Sequence, residues 1–169
     1  MKTKDLNNQQ LQLYFTEHIR YEIQQLINAT DAIERKLPIH NGLQYMVVES
    51  FALHLRSLII FLYPYSKRKN DICAEDFFID IDTWNNLRPK ISLTLEHAKD
   101  RADKEVGHLT TSRQFGTPES KKWNVALLTD EIFPILKFFC ESANKLKLYP
   151  EFQPLWNQYI HTKNLRPIQ

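Results

Sequence analysis

The chain has 169 residues, 43% apolar and 25% charged, which is the balance of a globular protein and suits one domain over residues 1–169 with a core of its own. Lys and Arg exceed Asp and Glu by only 22 to 20, so the summed charge exerts no general pull toward nucleic acid, and any polyanion binding must be local. Two cysteines, Cys73 and Cys140, exclude a disulfide framework, and three glycines, Gly42, Gly107 and Gly116, exclude a glycine-rich phosphate loop and a dinucleotide fingerprint.

No charged leader with a small-residue cleavage site opens the chain, which points to a reduced, cytoplasmic setting. Leu11, Phe15, Ile19, Ile23, Leu26 and Ile27 recur at helical period and predict a first helix from about Asp5 to Arg35. "KLPIHNG" then breaks the pattern, and Asn41 suits the cap of a second helix with Leu43, Met46, Val47, Phe51, Leu58 and Leu62 inward and Pro64 at its end. Beyond Phe51 this helix is apolar on nearly every side, as expected of a central helix. Its apolar run is broken by His54 and Arg56 and is short for a bilayer, so no membrane span and no membrane partner is expected.

"SKRKNDICAEDFFIDID" reads as a connecting excursion with room for one short helix. Pro89 suits the first turn of a third helix, in which Ile91, Leu95, Ala98, Ala102, Val106 and Leu109 face inward and Gly107 marks the fraying end. Ser120 suits the cap of a fourth helix with Trp123, Leu127, Leu128, Ile135, Phe138, Phe139 and Leu146 inward and a kink at Pro134. In the tail, Tyr149, Phe152, Leu155, Trp156 and Ile160 are too apolar to stay in water, so the tail packs back or meets a partner. No repeat and no sustained strand alternation is present, and the expected class is all-α: an antiparallel bundle of four main helices with a short helical C-terminal tail.

Two groups of residues carry potential chemistry. His97, Arg101, Lys104 and His108 fall on one side of the third helix, with Thr110, Thr111 and Arg113 just beyond. Such a row suits a phosphate or carboxylate, or else a solvated face paired with Glu96, Asp100, Asp103 and Glu105. In the second helix His54 and Arg56 interrupt an apolar stretch from nearly opposite faces, and a buried Arg56 requires a carboxylate, from Glu49 or from the acids between residues 71 and 82. No His-x-x-x-His pair occurs, and Asp76, Asp80 and Asp82 lack the spacing and glycine of a calcium loop, so no metal and no cofactor is expected. Neither cysteine reads as a nucleophile, Cys73 because acids surround it and Cys140 because it lies beside an apolar stripe.

Arg101, six intervening residues and His108, within a helical bundle, resemble the HEPN family of metal-independent ribonucleases. That resemblance implies an RNA substrate, a homodimer with a shared site, Arg101 on the phosphate and His108 as the proton carrier; Ala102 departs from the polar residue usual there. "ESFALHLRSLIIFLY", "NDICAEDFF" and "KEVGHLTTSR" together resemble an uncharacterised bacterial all-helical family, through His54, Arg56, Asp71, Ala74, Asp76, Phe77, Lys104, His108, Leu109, Thr110 and Arg113. It implies that His54, Arg56, Asp76 and the "HLTTSR" end come together in space; the mixture of basic and hydroxyl groups in His54, Arg56, Asp76, Lys104, His108, Thr110 and Arg113 then suits a binding module for an anionic ligand, or else bracing of the bundle.

Overall fold

The computed structural model describes residues 6–36, 41–68, 70–107, 111–114, 117, 119, 121–148 and 152–164, with the side chains of Asn41, Ser112 and Arg113 excepted. All regular structure among them is helical. Helix α1 runs through Asn8–Tyr14, a π turn Phe15–Ile19 and Arg20–Glu34 without a break. Asn7 and Gln10 form a reciprocal capping box at its start, at 2.9 and 3.0 Å, so the helix begins after Asn7 instead of near Asp5. Helix α2 is Asn41–Leu62, α3 is Ile81–Leu87, α4 is Leu93–Ala102 continued by a π turn Asp103–Gly107, α5 is Val125–Ser142 and α6 is Phe152–Asn164. Short 3-10 turns occupy Ala74–Phe77 and Thr111–Gln114.

Contacts run from α1 to α2, from α2 to α4, from α4 to α5 and from α5 back to α1, with α6 lying against α1 and α5. The tail therefore packs back: Leu155 and Tyr159 are buried, and the Tyr159 ring stacks on Phe133 at 3.9 Å. Phe51, Leu55, Leu58, Ile59 and Leu62 of α2 are buried, as its central place requires. By length and composition alone Gly42–Leu62 could cross a membrane, contrary to the expectation that its apolar run is too short; here its second half is core.

The excursion after α2 contributes more than a connection. Phe77, Phe78 and Trp84 are buried against Phe139 of α5, and the Trp84 indole N–H donates to the Leu62 carbonyl at 2.9 Å. Arg88 donates to the same carbonyl at 2.9 Å, so an acceptor orphaned at the C-terminus of α2 is satisfied twice.

Several positions differ from the periodic expectation. Pro89 precedes α4, which is capped by Ser92 accepting from the Leu95 N–H at 3.1 Å. Asn124 caps α5 through the Leu127 N–H at 3.2 Å; Ser120 lies outside the described residues. Starting α5 at Val125 turns Val125, Leu128, Ile132, Leu136 and Phe139 inward and leaves Leu127 outward, while Leu146 lies beyond the helix end and is exposed. Leu43 and Met46 are 48% and 61% exposed, since the first turns of α2 border only a shallow groove with Ala29 and Ala32.

Candidate functional site

Helices α1 and α2 and the segment from Asn70 to Cys73 enclose an open cleft of about 430 Å³. Its α1 wall is Tyr14, His18 and Glu22, at steps of four, and the π turn lies in the middle of that wall. The turn has a local cause: the Thr16 hydroxyl donates to the Gln12 carbonyl at 2.9 Å, competing with the backbone, and the Arg20 N–H reaches back five residues to Phe15. The α2 wall carries Arg56, Ser57 and Phe61, with Ile60 and Leu58 adding apolar surface.

His54 and Arg56 serve different neighbours, as two-residue spacing on a helix dictates. His54 Nδ1 meets Glu22 Oε2 at 2.8 Å, with the Tyr21 ring edge-on to the imidazole at 5.7 Å. Arg56 Nε donates to Asp103 in the π turn of α4, not to Glu49 or the acids between residues 71 and 82. Glu49 is exposed and stands seven residues away, roughly 10 Å along the helix axis, whereas Asp103 sits on a helix packed against α2. Lys99 joins Asp103 at 3.4 Å. Burial alone would raise the Asp103 carboxyl, but the Arg56 hydrogen bond and charge, with Lys99 behind them, hold it below the ordinary carboxylate range.

Asp76 lies elsewhere. It accepts from Lys67 Nζ at 2.6 Å and from the Cys73 N–H at 2.9 Å, closing the Ala74–Phe77 turn, and it borders a separate depression with Asp80 and Lys147. Lys104 is exposed on the π turn of α4. His108 and Thr110 lie outside the described residues, as does the side chain of Arg113. The structure thus places Arg56 in the cleft and His54 against one of its walls, and gives Asp76 a turn-closing position apart from both.

Three of the five N–H donors of Arg101 are used. Its Nε donates to Glu105 at 2.8 Å, Nη1 donates to the Lys122 carbonyl at 3.0 Å, Nη2 donates to the Lys121 carbonyl, and the guanidinium lies 4.4 Å over the Trp123 ring. His97 is exposed beside it, on the rim of a depression shared with Trp123.

Sequence reasoning did not single out Tyr14, His18, Glu22 or Asn70 for the site. The only signal in reach was that Tyr14, His18 and Glu22 share one helical face. Burial raises the Tyr14 phenol, and the nearby Glu22, Cys73 and Asp71 raise it further. The Cys73 thiol is pushed up to about 11, first by burial, against Lys67 and with Asp76, Glu75 and Asp71. No group of three His, Cys, Asp or Glu side chains placed to hold a metal occurs among the described residues. Glu105 and His108 have Glu-x-x-His spacing, a single pair where a di-iron bundle uses two, and Glu105 already pairs with Arg101. No protein-family model, curated protein or solved structure matches the chain.

Proposed function

We propose that this protein is a ligand-binding module in which the cleft between α1 and α2 takes a small polar molecule through an anionic group held by Arg56. The observation that carries it is the state of Arg56: the residue lines the cleft, and its guanidinium uses Nε on Asp103 and makes no other hydrogen bond or ion pair among the described residues. Its terminal N–H groups match a carboxylate or phosphate in shape and charge. Asp103 fixes the direction of the fork from behind, so less side-chain freedom remains to be lost on binding. The volume of about 430 Å³ is that of a small-molecule site.

The closed ring of contacts α1 to α2 to α4 to α5 supports reading the scaffold as the antiparallel four-helix bundle expected, with α6 as its tail. A scaffold of that kind would hold the two cleft walls in register.

Titrating the protein with acetate, valerate and inorganic phosphate, followed by amide chemical shifts, tests the reading. Shifts should cluster at Tyr14, His18, Arg56 and Asn70, and Arg56→Gln should remove them. Shifts scattered over surface lysines and unchanged in Arg56→Gln would defeat it.

A further inference from the structure

The cleft that offers a guanidinium also offers two carboxylates. Glu22 uses Oε2 on His54, and Asp71 uses Oδ2 on the Arg68 N–H at 2.8 Å, so one oxygen of each has no donor among the described residues. Both line the cleft with Arg56. Held by Arg56 alone, a simple anion would face two like charges, an arrangement that works against it. An ammonium placed toward Glu22 and Asp71 reverses the sign of that term while leaving the anion on Arg56. The lining also includes Ile19, Ile60, Phe61 and Ile72, so a ligand with a hydrocarbon body has apolar surface to cover. Tyr14 and Asn70 add hydrogen-bonding side chains to the same lining.

From this charge layout we infer that the cleft binds a small zwitterion, an ammonium and a carboxylate on an aliphatic body of amino-acid size. The inference rests on the cleft reading above, and narrows its ligand from any anion to one that also carries an amine. Lys67 does not neutralise these acids, since it is tied to Glu75 and Asp76 at 3.0 and 2.6 Å.

Calorimetric titration of the full chain with four five-carbon compounds decides it: norvaline, ω-aminovalerate, valerate and pentylamine. The better of the two zwitterions should bind at least about tenfold more tightly than valerate and than pentylamine, the scale expected when a charged hydrogen bond is added. Glu22→Gln keeps an acceptor for His54 and should narrow the gap between zwitterion and valerate, weakening the first and, with one like charge removed, tightening the second. Asp71→Asn serves as the second variant, because its amide oxygen can still accept from the Arg68 N–H. Valerate binding as tightly as the better zwitterion overturns the zwitterion inference and leaves the anion cleft standing. Pentylamine binding as tightly as the better zwitterion, or no compound binding at all, overturns both.

Discussion

His54 and Arg56 stand two residues apart on α2 and are held from different sides, the first by Glu22 of α1 and the second by Asp103 of the α4 π turn. One helix thus presents both ionisable side chains of its buried half as cross-links to its two main neighbours. The Asp103 link gives a pH signature. Its carboxyl is depressed in the folded protein, so it contributes stability above its unfolded value of about 3.9, and that contribution is lost as pH falls through the lower folded value. Asp103→Asn should therefore be less stable than the parent at pH 7, with the gap closing on acidification below about pH 4. Urea midpoints at several pH values measure this; a gap constant down to pH 3 would show that the charge of Asp103 contributes nothing.

Cys73 lines the cleft between α1 and α2, where its raised thiol makes it a weak nucleophile. With the thiol pushed from 9.0 to about 11, its thiolate fraction at neutral pH falls by a factor of about a hundred. Iodoacetamide labelling of the folded protein should be at least about a hundredfold slower than that of the urea-unfolded chain. Comparable rates in the two states would mean that the burial of Cys73 is relieved in solution.

How far the fold could be read ahead depended on how each signal arises. The α1 stripe and the buried half of α2 follow from helical periodicity, which a single sequence displays directly, and both are where periodicity places them. Phe77, Phe78 and Trp84 were missed as core because their segment has no period: its burial comes from Phe139 and from the indole bond to Leu62, both remote in sequence. Leu43 and Met46 failed in the other direction, since periodicity identifies a stripe but not whether a neighbour covers it. At the site, the need of Arg56 for a carboxylate was legible and the identity of Asp103 was not, because that pairing depends on which helix packs against α2. The cleft acids Glu22 and Asp71 carry no local mark that separates them from surface acids.

Lys36 ends α1 with φ of 48°, a left-handed conformation that glycine adopts without penalty. The Cβ clash there costs roughly 1–2 kcal/mol, while glycine carries about 0.5–1 kcal/mol of extra chain entropy in the unfolded state. The first exceeds the second, so Lys36→Gly should stabilise the protein by up to about 1 kcal/mol, and Lys36→Ala should not. Thermal melts of the two variants check this, and equal melting points would argue that the helix end relaxes out of that conformation.

Arg101 separates bracing from catalysis. Its donors tie α4 to the segment before α5 through the carbonyls of Lys121 and Lys122, and its plane covers Trp123. The stacking contributes about 0.5–1 kcal/mol, and the partly exposed hydrogen bonds add on the order of 1 kcal/mol after solvent screening. Arg101→Ala should then cost about 2 kcal/mol in urea denaturation. Arg101→Lys should recover only a fraction of it, because an ammonium cannot make three divergent bonds and stack at once. Three of its five N–H donors and one face of its plane are already committed to bracing, so incubation of the protein with mixed RNA in EDTA should give no cleavage. The opposite result has a distinct form: cleavage by the parent that disappears in Arg101→Ala while the urea midpoint stays unchanged would place Arg101 in a ribonuclease site and remove its bracing role.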